Sequence, residues 1–427
     1  MANELEIVPR FHCVQSGTAG RIRRYCVDGM LRWSVVLVGV VYAVSVSCGA
    51  SPSLGHVSSP SRTHATTPAS SVHGSPNSCQ DLNPVRTFVP SAASQRSVEL
   101  VRLKGGNGSY AVRDITDLRH PFTVQTFGPG SDVYEGGGLP TFVNASELSY
   151  FSHGTASNAQ DFAYVRTPLS GSPKTVVARP CLQGANVGGS WNQDGTAFTY
   201  GSASGPYAYL HIVTAGRDRV VDSFTWDGGG GVYGPPSGPK FSTDGSYISW
   251  VGFGSFPSRI WARDGKVLLA SNTSLANPAV WAGDSLYFQD TDGVEKWHGG
   301  VMSSFLPNVH WLAPYSSPAG GQIAYTVRDA DGTGHVMIVD IATRATREVS
   351  RSRAFPVFLK ASLLWYVEER PCAPTDPPGR CGGTIKTTAT GNTFVFDLQA
   401  GTENSSILQA VYDVWPHGDR SDTSSAF

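Results

Sequence analysis

The run Gly201-Ser202-Ala203-Ser204-Gly205 has the glycines of a nucleophile elbow, but alanine stands at its centre, where Gly-x-Ser-x-Gly requires serine. The sequence contains neither His-Glu-x-x-His for zinc nor Gly-x-x-x-x-Gly-Lys for phosphate. Asp290-Thr291-Asp292-Gly293 and Asp329-Ala330-Asp331-Gly332 could each begin a calcium loop. Each lacks a third acidic ligand and the closing glutamate that a hard cation needs, so hairpin turns are expected there. Glu368-Glu369 supplies two carboxylates, the chemistry of glycoside cleavage. Neighbours on a strand point to opposite faces, so these two form no acid–base pair and are expected on a solvated rim. His56, His64 and His73 are irregularly spaced without interleaved cysteines, which does not suit a metal site. The tryptophans Trp250, Trp261, Trp281, Trp297, Trp311 and Trp365 are expected mainly in packing, one or two being able to stack on a sugar or peptide. No cofactor and no metal is expected from these residues, and intrinsic catalysis is not expected either.

Whatever chemistry exists must be positioned by a recurring stretch. Its clearest copies are Ser190-Trp191-Asn192-Gln193-Asp194-Gly195-Thr196-Ala197-Phe198-Thr199-Tyr200 and Lys240-Phe241-Ser242-Thr243-Asp244-Gly245-Ser246-Tyr247-Ile248-Ser249-Trp250. Each is a bulky residue (Trp191, Phe241), a polar turn ending in Asp-Gly (Asp194-Gly195, Asp244-Gly245), then a strand of period two. Glycine supplies the positive φ of such turns. Weaker copies run from Thr141-Phe142, from Ala279-Val280-Trp281-Ala282-Gly283-Asp284, from Trp311-Leu312 and from Phe355-Pro356. A possible first copy runs from Thr87-Phe88-Val89-Pro90 to Val98-Glu99-Leu100-Val101. Asn107-Gly108, Asp264-Gly265, Asp292-Gly293 and Asp331-Gly332 read as further hairpin turns. The copies recur at about the period of propeller blades. The chain is therefore read as all-β, a β-propeller of seven blades with six or eight as alternatives, preceded by a disordered N-terminal tether. The alternating tail Ser406 to Trp415 is expected to pair with the first blade and close the ring.

The Trp-Asn-Gln-Asp-Gly and Phe-Ser-Thr-Asp-Gly stretches resemble the Trp-Ser-Pro-Asp-Gly repeat of TolB-like and WD-repeat-like propellers, with Gln193 or Thr243 where that repeat has proline. The resemblance covers roughly residues 87–415. It implies the fold, not one activity, since such propellers serve as binding platforms, enzyme domains and assembly factors. In Ser242-Thr243-Asp244-Gly245 the glycine comes one position earlier than in sialidase boxes.

Five arginines precede the apolar run Trp33 to Val46, and Ser45-Val46-Ser47-Cys48 resembles the bacterial lipobox, with Ser45 where leucine is usual. Residues 1–47 are thus read as a signal-peptide region, with translation starting at Met30, and Cys48 as the lipid anchor. The apolar run is short of the ~20 residues that span a bilayer as a helix, and an uncleaved anchor is the alternative. Residues 48–80, rich in Ser, Thr and Pro, read as a disordered tether. Residues 81–416 read as the propeller and 417–427 as a frayed C-terminal tail. Removing residues 1–47 leaves Cys79, Cys181, Cys372 and Cys381 beside Cys48, an even set suited to disulfides in an oxidising compartment. Cys372 and Cys381 bracket a Pro-rich loop that a bridge would pin, and Cys79 with Cys181 follows by elimination; four free thiols would suit only a cytoplasmic domain.

Forty-eight glycines and 15% charged residues fit a turn-rich β domain, and a formal charge of −1 disfavours capture of nucleic acid. The long Gly/Pro-rich stretches Gly228 to Pro239 and Pro371 to Gly383 are where binding is expected. The reading is an exported, lipid-anchored propeller on the extracytoplasmic side of the cell membrane. It is expected to be monomeric and to act as a non-catalytic platform for an envelope protein partner. The alternative is a carbohydrate- or peptide-binding protein, or a hydrolase or lyase, that uses the central channel.

Overall fold

Alternation builds the sheets. Along Ala197–Ser204, Phe198 and Tyr200 face one neighbouring blade while Ala197 faces the other, so both surfaces of the sheet are covered. The computed structural model describes residues 13–16, 23–26 and 96–419, except 103–108, 128–132, 134–139, 153–162, 180–185, 205–206, 215–216, 226–237, 252–257, 272–277, 377–380, 382–385, 409–410, 412 and 417. The chain divides into two units, Met1–Ala65 and Thr66–Phe427. In the first, β1 (Cys13–Ser16) and β2 (Arg23–Cys26) form an antiparallel pair. No helix among the described residues is long and apolar enough to cross a membrane. Cys48, Cys79, Cys181, the apolar run, the tether and Asn107-Gly108 lie outside the described residues.

The second unit is a seven-bladed β-propeller, each blade a four-stranded antiparallel sheet. Blade I holds β3 (Val98–Arg102), β4 (Tyr110–Asp114) and β5 (Phe122–Phe127). Blade II holds β6 (Thr141–Asn144), β7 (Glu147–Ser152), β8 (Ala163–Pro168) and β9 (Thr175–Ala178). Blade III holds β10 (Asn186–Trp191), β11 (Ala197–Ser204), β12 (Tyr207–Thr214) and β13 (Arg217–Thr225). Blade IV holds β14 (Lys240–Phe241), β15 (Tyr247–Trp250), β16 (Ser258–Ala262) and β17 (Val267–Ser271). Blade V holds β18 (Ala279–Ala282), β19 (Ser285–Asp290), β20 (Gly293–His298) and β21 (Val301–Pro307). Blade VI holds β22 (Leu312–Ser316), β23 (Gln322–Arg328), β24 (Gly334–Asp340) and β25 (Thr346–Arg351). Blade VII holds β26 (Arg353–Lys360), β27 (Leu363–Pro371), β28 (Thr387–Asp397) and β29 (Thr402–Ser405). The fourth strand of blade I is β30 (Asp413–Trp415), which pairs antiparallel with β3 through Val98↔Trp415 and Leu100↔Asp413.

The tail thus closes the ring as the alternation suggested, through three residues rather than the whole stretch from Ser406. It fills the place that the possible first copy gave to Thr87–Pro90, which lie outside the described residues. One other copy, in blade VI, is offset. Trp191, Phe241 and Trp281 stand opposite Phe198, Ile248 and Leu286, and the matching residues in blades VI and VII are Ser316, opposite Ile323, and Phe358, opposite Leu364. Trp311 comes earlier in the chain, whereas the copy read from Phe355 runs through Phe358.

A lone sheet cannot cover both its faces, so the core is divided among the junctions. Every pair of adjacent blades encloses an apolar cluster, for instance Phe224 and Leu210 of blade III with Trp250 and Trp261 of blade IV. The junction of blades VII and I is built from Trp365, Val367, Ile115 and Val414. All six tryptophans expected in packing are buried at these junctions. The inner strands β30 and β6, β10 and β14, β18 and β22, β22 and β26, and β26 and β30 touch one another, which places them around the central channel. Beyond β30, Gly418 and Asp419 are held against the inner strands by hydrogen bonds to Trp281 and Ser316. The expectation of a frayed tail from residue 417 therefore fails at these two positions, because inner-strand N–H groups need acceptors; residues 420–427 lie outside the described residues.

Candidate binding face

A meander sends alternate connections to opposite ends of the ring. First-to-second and third-to-fourth connections share one end; second-to-third and blade-to-blade connections share the other. The turns Asp194-Gly195, Asp244-Gly245, Asp264-Gly265 and Gly283-Asp284 lie at the first end, and their role is structural. Trp191 is buried, with the Arg166 guanidinium 5.1 Å from its ring centroid. Asp194 accepts from the Thr196 N–H at 2.9 Å, and Gly195 adopts φ +69° while its carbonyl accepts from Arg166 Nη1 at 2.8 Å. In blade IV, buried Phe241 precedes a turn in which Asp244 accepts from the Ser246 N–H at 3.1 Å and Gly245 has φ +74°. These hydrogen bonds hold both aspartates below the usual carboxylate range, although partial burial works against them. Trp281 donates from Nε1 to Ser249 Oγ at 2.8 Å, and Asp284 lies 3.2 Å from His298 Nδ1. Asp264-Gly265, Asp292-Gly293 and Asp331-Gly332 form the expected hairpin turns.

At the opposite end β27 ends at Pro371 and β28 begins at Thr387, which bracket the second long stretch singled out in the sequence. Its described part, between blades VI and VII, is braced. Cys372 and Cys381 form a disulfide. Arg370 forks onto both oxygens of Asp376 at 2.7 and 2.6 Å, and Asp376 also accepts from the Ala373 N–H at 2.6 Å. Arg328 of blade VI reaches across to Glu369 of blade VII with two bonds of 2.8 and 2.7 Å, and to Thr387 at 2.6 Å. Lys386 donates to the Ala330 carbonyl at 2.9 Å. The expectation that both glutamates sit on a solvated rim fails for Glu369. A register shift after Val367 turns it inward, where it is buried and paired. Glu368 stays partly exposed and binds Arg353, Thr390 and Asn392. Arg328 could not be connected to Glu369 from sequence, because the contact joins two blades.

Ser202, His211 and Asp218 stand in line at 2.9 and 3.2 Å, the residue types of a hydrolytic triad. The setting is wrong for that chemistry. Ser202 and His211 are buried, the Tyr200 ring stacks on the imidazole at 4.2 Å, and Tyr200 donates to Asp218 at 2.5 Å. Ser202 lies in an unbroken ladder from Ala197 to Ser204, so the adjacent N–H groups are not gathered into an oxyanion hole. The cluster pins three strands together. Among the described residues, the His, Cys, Asp and Glu grouping with metal-like spacing is Cys372, Asp376 and Cys381. Its sulfurs are joined to each other and its carboxylate is taken by Arg370, which leaves no ligand set.

No protein-family model matches the chain. No curated protein matches it either. Solved structures do. An oligogalacturonate lyase in complex with manganese is 14% identical over 75% of this chain and 85% of its own, with a TM-score of 0.45. TolB from Acinetobacter baumannii is 14% identical over 74% of this chain and 80% of its own, with a TM-score of 0.37. A puromycin-hydrolyzing peptidase of Mycobacterium tuberculosis is 14% identical, with a TM-score of 0.49; the match takes in 75% of this chain but 53% of the peptidase. At this identity the likeness is one of fold.

Proposed function

We propose that this propeller is exported, anchored through lipid on Cys48, and serves as a monomeric, non-catalytic platform that holds an envelope protein partner on the face bearing its long connections. The observation that carries the reading is the bracing of one end of the ring, where a disulfide and the Arg328–Glu369 fork stiffen the junction of blades VI and VII. A pre-ordered surface loses little entropy on binding, which is the property a platform needs. The disulfide favours an oxidising compartment, in keeping with export. The opposite face, built of tight turns, serves as the control. A photo-crosslinking residue placed at Lys386 in intact cells is expected to trap one envelope protein reproducibly, and the same probe at Gln193 is expected to trap none. Equal trapping from both faces, or none from Lys386, refutes the face assignment. Metabolic labelling with an alkyne fatty acid tests the anchor: label on the wild type and not on Cys48→Ser is expected, and an unlabelled wild type removes it.

A further inference from the structure

The inner strand of a blade is an edge strand, so its channel side presents N–H groups that need acceptors. Neighbouring inner strands supply two of them. The Phe142 N–H donates to Asp413 of blade I at 2.7 Å, and the Phe241 N–H donates to Ser190 Oγ of blade III at 2.9 Å. Ser190 directly precedes the bulky residue of its own blade, Trp191. The residue in that place in blade IV is Lys240, before Phe241. An ammonium has donors only, so Lys240 cannot serve Trp281 of blade V as Ser190 serves Phe241. The acceptor comes instead from the far end of the chain. The Trp281 N–H donates to Asp419 Oδ2 at 2.7 Å, and Asp419 Oδ1 lies 3.6 Å from Lys240 Nζ. In blade VI, the Ser316 N–H donates to the Asp419 carbonyl at 2.8 Å, and the Asp419 N–H donates back to Ser316 Oγ at 2.8 Å. Ser316 occupies the bulky position of its blade, and that small residue lets the tail approach. The preceding Gly418 is so close that a Cβ there would fall 1.6 Å from the Ser316 carbonyl oxygen. The space left beside Asp419 is about 10 Å³, room for one water at most.

Three blades therefore converge one cation, two backbone N–H groups and a hydroxyl on a single Gly-Asp unit. We propose that Lys240, the Trp281 N–H and the N–H and hydroxyl of Ser316 form a receptor for an extended acidic peptide carrying Gly-Asp. The protein's own Gly418-Asp419 fills that receptor until a partner's segment displaces it. The receptor lies on the channel wall and stands apart from the loop-face reading, so either can fail alone.

The probe is a fluorescent peptide with the sequence of residues 417–427, titrated by anisotropy against the full-length chain and its Gly418→Ala variant. The added Cβ evicts the resident tail, so the variant is expected to bind the peptide at least tenfold more tightly than the wild type does. Changing the aspartate of the peptide at its third position to asparagine, or Lys240→Met in the variant, is expected to reverse that gain. Equal binding by wild type and Gly418→Ala, or indifference to the aspartate, overturns the receptor. Asp419→Ala provides a readout that does not depend on the glycine. Deuterium exchange at the Trp281 amide, whose acceptor is the Asp419 carboxylate, is expected to quicken at least tenfold, and unchanged exchange there overturns the proposal as well.

Discussion

Glu99 on β3 has a fully buried side chain, and it stands opposite Arg113 of β4 in the ladder. Val98 and Leu100 on either side of it pack toward blade II, which turns Glu99 toward blade VII. Arg113 Nε lies 2.7 Å from Oε1, so charge and hydrogen bonding from the guanidinium favour the carboxylate. Burial outweighs that attraction and pushes the carboxyl up from 4.5 to about 7. The sign follows from proton binding. Between pH 4.5 and about 7 the fold holds a proton that the unfolded chain has released, so raising the pH through this window lowers stability. At about 1.36 kcal/mol per pH unit, the full loss above the window is about 3 kcal/mol. Glu99→Gln keeps the shape and removes the charge, and the partly exposed Arg113 can turn to water. Urea unfolding followed by tryptophan fluorescence is expected to show the variant about equal to wild type at pH 4.5 and more stable by up to about 3 kcal/mol at pH 8. A variant no more stable at pH 8, or a difference that does not change with pH, refutes the placement of an uncompensated carboxylate at this junction.

Arg328→Met strands the buried Glu369 and is expected to cost about 3 kcal/mol in urea unfolding, whereas Arg328→Met with Glu369→Leu recovers most of the loss. Gly245→Ala meets its nearest neighbour, Asn192 Cβ, at an ordinary 3.5 Å. Its penalty is therefore the positive φ alone, about 1 kcal/mol, and a much larger fall in the urea midpoint contradicts the turn. Replacing Cys372 and Cys381 together by serine opens a loop closed by residues nine apart and is expected to cost about 3 kcal/mol. In reductant, the wild type and that variant should then unfold alike in calorimetry.

What the sequence revealed was local. Trp191 to Tyr200 and Phe241 to Trp250 carry turn chemistry and alternation within eleven residues, so the blade unit was legible there. Blade VI was found but misaligned, because Ser316 replaces the bulky residue and Trp311 offered a false one. Glu369 was misread because its partner, Arg328, comes from the neighbouring blade and a register shift sets its direction. Asp419 was misread because its role depends on an acceptor that Lys240 lacks, visible only when inner strands are compared across blades. The Cys372–Cys381 bridge was legible because both cysteines flank one short loop.

Pairing Val98 with Trp415 has a consequence for timing. During synthesis, blade I waits for its inner strand until nearly the whole propeller has emerged. Until then β3 exposes a bare edge able to recruit another chain, and the cleft between blades VII and I stands open. Ring closure is thus the last commitment, and a long-range one that is intrinsically slow. Quality control acting on this protein would find its target at that seam, and substitutions in Asp413–Trp415 would lower the yield of assembled rings before they altered any property of a finished one.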